Sequence, residues 1–268
     1  MDNMRTAVVI AATVCLLVCL GVTGTRAGVT LLQTFTESNV TGMTNFGYSV
    51  SGASDVNGDS YDDVIVGSPG YNGGTGRAYV YFGAATMDNI ADVTLDGEGT
   101  GNSFGFSVSG AGDVNNDGYD DVIVGADRYN SWTGRAYVYF GAASMDNIAD
   151  VTCTGEGTDN YFGFSVSGAG DVNNDGYDDV IVGAFGYNST TGRAYVYLGA
   201  ASMDNTADVT LDGEGTVNHF GISVSGAGDV NNDGYDDVIV GAGGHNSATG
   251  RTYVYLGAAS MDNTADVT

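Results

Sequence analysis

Aspartate and asparagine recur along this chain at a spacing that could build a cation site. In the stretch Asp113 to Asp121, oxygen-bearing side chains fall at loop positions 1, 3, 5 and 9: Asp113, Asn115, Asp117 and Asp121. Gly118 stands at position 6, where a tight loop must bend, and Tyr119 at position 7 can offer its carbonyl. Alternate positions of such a loop converge, so the set supplies only oxygen ligands. That chemistry suits calcium, which takes six to eight oxygens at about 2.3–2.6 Å, better than magnesium, which dehydrates reluctantly. Zinc and copper prefer nitrogen or sulfur. The same set recurs as Asp171, Asn173, Asp175, Tyr177 and Asp179, and as Asp229, Asn231, Asp233, Tyr235 and Asp237. A fourth copy, Asp55, Asn57, Asp59, Tyr61 and Asp63, has Ser60 where the others have glycine. The bend is harder there, so this site is expected to be the weakest. Position 8 (Asp62, Asp120, Asp178, Asp236) is expected to point away and set charge only. The competing reading is a set of Asx-turns holding no metal. It leaves three carboxylates in nine residues without a counter-charge, four times over. A helix-flanked calcium hand is excluded, since position 12 is Val124 and a strand follows at once.

What must position these loops is a repeat. Asp55, Asp113, Asp171 and Asp229 lie 58 residues apart, as do Phe46, Phe104, Phe162 and Phe220. In the unit that starts at Phe104, four short strands are legible: Phe106 to Ala111, Asp121 to Gly125, Arg135 to Phe140 and Ala149 to Cys153. Gly, Asn and Asp separate them, and no stretch has a helical period long enough for a helix. Four short antiparallel strands per unit, in tandem, indicate an all-β fold, a β-propeller of four blades, complete or partial. One such sheet cannot bury both faces, so neighbours must stack on it. The units are 46–103, 104–161, 162–219 and 220–268. Each Phe-Gly reads as a core aromatic beside a close backbone approach. The segment Val29 to Phe35 is a spare strand within 28–45. It could pair into the last blade and close the ring, and a fragment of a larger propeller fits equally well.

Composition narrows the function. The net charge is −26 with seven Lys+Arg, so nucleic acid and anionic membrane surfaces are excluded as partners. Arg5, the apolar run Ala7 to Val22 and Thr25-Arg26-Ala27 before Gly28 form a secretory signal pattern over 1–27. A single membrane anchor is the alternative, but the run is short and lacks a basic stop signal. The mature chain is therefore expected to be secreted or at the cell surface, with no membrane insertion of its own. Only Cys153 remains after residue 27, which leaves no intrachain disulfide and casts that residue as a small buried apolar one. Asn39-Val40-Thr41 and Asn188-Ser189-Thr190 are glycosylation acceptor patterns. His219 and His245 read as surface residues. No nucleophile motif, His pair or phosphate-cradling loop is present, so no catalytic residue is assigned and the chain is not expected to be an enzyme.

Phe104-Gly105, the Asp113 to Asp121 loop, Val124-Gly125-Ala126 and Gly134-Arg135-Ala136-Tyr137-Val138-Tyr139 together resemble the FG-GAP repeat, and the resemblance covers about residues 36–268. It implies a propeller like the integrin α-subunit head, with calcium held on its lower face. By analogy it also implies cell adhesion or binding of an extracellular protein or glycan. Up to four Ca2+ are expected, and self-association if the ring is incomplete. The alternatives are a calcium-stapled structural scaffold and a non-catalytic accessory domain of an extracellular enzyme.

Overall fold

The computed structural model describes residues 33–37 and 43–268, and the signal pattern of 1–27 and the acceptor Asn39 lie outside these residues. Val-Ile-Val-Gly runs and Tyr-Val-Tyr runs form strands because β-branched and aromatic side chains pack well on a pleated surface. They build four antiparallel sheets in chain order. Sheet 1 comprises β1 (Val50–Ser54), β2 (Asp63–Ser68), β3 (Arg77–Tyr81) and β4 (Val93–Asp96). Sheet 2 comprises β5 (Ser107–Gly112), β6 (Asp121–Ala126), β7 (Arg135–Tyr139) and β8 (Val151–Thr154). Sheet 3 comprises β9 (Ser165–Gly170), β10 (Asp179–Ala184), β11 (Arg193–Tyr197) and β12 (Val209–Asp212). Sheet 4 has three strands, β13 (Phe220–Gly228), β14 (Asp237–Ala242) and β15 (Arg251–Tyr255), so its expected fourth strand is reduced to one bridge, Val254 to Val267. Each sheet is a simple meander, as a propeller blade requires.

The core lies between sheets. Ala53, Val56, Ile65, Val80 and Leu95 on one face of sheet 1 pack against Phe104, Val108, Tyr137 and Tyr139 of sheet 2. The same arrangement recurs between sheets 2 and 3 and between sheets 3 and 4. Phe104, Phe162 and Phe220 are each fully buried. Beside them the sheets approach at backbone distance: a Cβ on Gly67 would meet the Gly105 carbonyl oxygen at 2.0 Å. Isolated parallel bridges join Gly76 to Phe104, Gly134 to Phe162 and Gly192 to Phe220. Each blade is thus hydrogen-bonded as well as packed to the next.

One detail departs from the sequence reading. Between the second and third strands, segments such as Tyr129–Trp132 make one tight turn, with left-handed backbone at Asn130 (φ 45°) and Ser131 (φ 58°). Of the segment Val29 to Phe35, residues 29–32 lie outside the described residues. Residues 33–37 form no strand, and Phe35 lies on the leading face of sheet 1, its ring 4.1 Å from that of Tyr81.

Candidate metal centre

Every acidic loop joins the first and second strands of its sheet, and a β-bulge precedes each. The bulge turns the chain so that the loop's first aspartate faces inward. In the second loop, Asp113 Oδ1 accepts the Asp117 N–H at 3.0 Å and Asp113 Oδ2 accepts the Gly118 N–H at 2.9 Å. Asn115 Oδ1 accepts the same Asp117 N–H at 2.9 Å, and Asn115 Nδ2 donates to Asp117 Oδ2 at 2.9 Å. Asp117 Oδ1 accepts the Tyr119 N–H at 3.0 Å. Positions 1, 3 and 5 are therefore brought together. The loops at Asp171 and Asp229 repeat this network bond for bond.

Position 9 sits beneath the loop. Asp121 is fully buried, Oδ2 accepting the Val114 N–H at 2.9 Å and Oδ1 the Gly141 N–H at 2.7 Å. Asp63, Asp179 and Asp237 make the equivalent bonds. This carboxylate thus ties the loop to the turn after the third strand. Burial, aided by repulsion from positions 1 and 5, pushes Asp63 up to about 6, Asp121 to about 8 and Asp179 to about 7. Among the described residues no three acidic, His or Cys groups meet at metal-ligand spacing. The convergent set is two carboxylates and an amide, above a buried carboxylate that two backbone N–H groups hold and no cationic side chain neutralises. In donor type and in this uncompensated charge the residues fit a hard, oxygen-preferring cation. Asn115 would meet it through its amide oxygen, whose place and that of the nitrogen follow from the hydrogen-bond network.

The first loop keeps the network, with Asp55 accepting from Asp59 and Ser60 and Asn57 bonded to Asp59. Ser60 holds a φ of 72°, in the region where Gly118, Gly176 and Gly234 show 92°, 91° and 94°. The bend is made, but by a residue with a Cβ.

Position 8 requires a correction. Asp120 Oδ2 accepts the Asp55 N–H of the preceding loop at 3.0 Å, and the Asp120 N–H donates to the Asp55 carbonyl at 3.2 Å. Asp178 with Asp113, and Asp236 with Asp171, do the same. The side chain latches one loop to the next. Only Asp62, which has no sheet before it, is exposed. The sequence showed acidity at position 8 but not its neighbour, because the partner lies a full repeat away.

The opposite end of the sheets carries a second charged set. Arg77, Arg135 and Arg193 stack on Tyr71, Tyr129 and Tyr187 with the guanidinium carbon 4.0, 3.8 and 4.0 Å from the ring centre. Arg135, Arg193 and Arg251 reach Glu98, Glu156 and Glu214 of the preceding sheet at 2.8, 2.8 and 3.0 Å. Asp96 pairs with Arg77 at 2.5 Å. The cation held by Glu98, Glu156 and Glu214 is therefore arginine. The in-phase recurrence of Arg at the head of each third strand was the available signal. Cys153 is buried and its thiol is pushed up to about 12 by burial. His219 and His245 are half-buried: His219 stands edge-on to Phe185 at 5.8 Å, and His245 lies 3.9 Å from Glu214.

Meandering sheets stacked in phase, each with an acidic loop at its first hairpin, define a protein built of β-propeller blades. The FG-GAP repeat description matches residues 46–81, 104–139, 162–197 and 220–256, and the chain belongs to the FG-GAP repeat family. Integrin alpha-5 of Xenopus laevis is 32% identical over 230 residues, covering 79% of this chain and 21% of that protein. Integrin alpha-8 of Mus musculus is 32% identical over 216 residues (74% and 20%), and integrin alpha-6 of Gallus gallus 38% over 155 residues (55% and 14%). The chain thus spans about a fifth or less of the length of these relatives.

Proposed function

We propose that this chain is a calcium-stabilised, extracellular binding module of the adhesion type, holding one Ca2+ in each of its four acidic loops. The observation that carries the reading is the recurrence of one hydrogen-bonded loop scaffold in four in-phase blades, together with the likeness to integrin alpha subunits over most of the chain. Asp113, Asn115, Asp117 and Asp121, with the Tyr119 carbonyl, would hold the ion in the second loop, and the matching residues would do so in the others. Bound calcium supplies positive charge to the buried carboxylate and lets loop, latch and sheet set as one body. Extracellular modules bind calcium at about 10⁻⁴–10⁻³ M. At about 1 mM calcium each site then stabilises the fold by about 0.4–1.4 kcal/mol. The leader at 1–27 would direct the chain to the secretory route, and the partner is an extracellular protein or glycan. No catalytic step belongs to this reading.

The test is attachment. Cells should adhere to a surface coated with the chain in about 1 mM calcium and be released by chelator. Attachment no better than to an uncoated surface, in either condition, would leave a scaffold without an adhesive role.

A further inference from the structure

The two ends of the four-sheet array are unfinished in complementary ways. Between neighbouring sheets one set of contacts repeats three times. Val56, Val114 and Val172 are fully buried under the sheet that follows, and their carbonyls accept the N–H of Ala142, Ala200 and Ala258 at 2.9 Å. Ser49, Ser107 and Ser165 hydroxyls accept the N–H of Val108, Val166 and Val224 at 3.1 Å. The aspartate latch at position 8 is the third contact.

At the trailing face of sheet 4 the same groups have no sheet to meet. Val230 is 58% exposed, and Ile239 and Val254 are half-exposed, although Ile65, Ile123, Ile181, Val80, Val138 and Val196 are all buried. The Asp229 N–H, the Val230 carbonyl and the Ser223 hydroxyl make none of the bonds made by their counterparts. At the leading face of sheet 1 the matching halves meet no sheet among the described residues. Asp62 and Ala84 are exposed, and Val50 is 48% exposed where Val108 and Val166 are 5%.

Residues 33–37 show what sheet 1 is prepared to receive. Cys153, in the fourth strand of sheet 2, lies against Tyr197 of sheet 3, and Glu156 accepts the Tyr195 hydroxyl at 3.0 Å. Phe35 lies against Tyr81 in the same way, and Glu37 accepts the Tyr79 hydroxyl. The segment therefore stands where the fourth strand of a preceding sheet would lie.

We propose that two copies of this chain join head to tail, sheet 4 of each docking on sheet 1 and residues 33–37 of the other, to close one ring of eight sheets. A head-to-tail interface closes into a ring when its rotation allows and otherwise grows without limit. Eight sheets lies within the range of known propellers, and a third copy would exceed it. Thr252, where sheets 1 to 3 have Ala78, Ala136 and Ala194, is the one polar change on the docking face.

Sedimentation velocity of the full chain, expressed from Met1 and run in calcium over a range of micromolar concentrations, tests this. A two-copy species is expected. Val230→Asp, at an exposed position that leaves the single copy's core intact, should weaken it about tenfold or more. Asp62→Ala should weaken it too, and Ile148→Asp, on an exposed loop away from both ends, should not. A single copy at all concentrations, open-ended growth, or a pair indifferent to Val230→Asp would overturn the proposal. So would a single copy whose Val230 amide region resists hydrogen exchange, since the face would then be covered by the chain's own residues.

Discussion

Ser60 and Asp127 show how much one side chain can carry here. Ser60 occupies a left-handed bend that its three counterparts fill with glycine. An L-residue there costs about 1 kcal/mol relative to glycine. Ser60→Gly should stabilise the chain by roughly that amount in denaturant unfolding, and should tighten calcium at the first loop relative to the parent chain. Asp127 stands where the other units have Pro69, Phe185 and Gly243. It is 2% exposed, its Oδ1 has no hydrogen-bond partner, and burial pushes it up to about 6. The folded state therefore holds a proton that the unfolded chain has lost between about pH 4 and 6. Stability tied to Asp127 is present below about pH 4 and is lost as pH rises through about 6. Asp127→Asn should raise the melting temperature at pH 7.5, by an amount worth at most about 2–3 kcal/mol, and the gain should vanish near pH 4. Equal gain at both pH values would contradict this account. Both residues stand out in the sequence as departures from the repeat. What the sequence could not tell is that Asp127 is enclosed, because burial depends on the folded surroundings of the turn and not on its local residues.

At the scale of elements, the contact between sheets matters more than any sheet alone. The latch of Asp178 on the Asp113 amide, with its copies, joins neighbouring loops through residues 65 apart in the chain. Asp178→Ala should cost about 1–2 kcal/mol. Asp62→Ala, measured at a dilution where copies are apart, should stay within about 0.5 kcal/mol. Similar losses for the two would mean that position 8 acts only through net charge. Strands were legible to within a residue or two, since Val-Ile-Val-Gly and Tyr-Val-Tyr declare them and Gly, Asn and Asp bound them. The left-handed turns at Tyr71, Tyr129, Tyr187 and His245 were not, because their shape answers to a backbone hydrogen bond across the turn and, in the first three, to an arginine stack. The last unit differs for another reason: β4, β8 and β12 each span four residues, and of the equivalent four only Val267 and Thr268 are present, so Val267 pairs with Val254 alone.

At the scale of the whole molecule, the net charge of −26 and the stacked sheets pull against each other. Four loops lie in one phase of the array, so their carboxylates repel both within and between loops. The recurrence of Asp, Asn and Asp at loop positions 1, 3 and 5 was readable in the sequence, and these are the residues that the loop's hydrogen bonds bring together. The scaffold beneath it, in which position 9 is buried and bonded to two N–H groups, was not. The central claim is that cations in these loops hold the blades together. Four independent sites at about 1 mM calcium would add about 2–6 kcal/mol. For a chain of this size that is a shift of about 5–20 °C in melting temperature. Thermal unfolding of the full chain in calcium and in chelator, with bound calcium counted in the same samples, is the most direct test. The account predicts four ions per chain and a fall in melting temperature of that size on chelation. Superimposable melting curves with no bound calcium would contradict it.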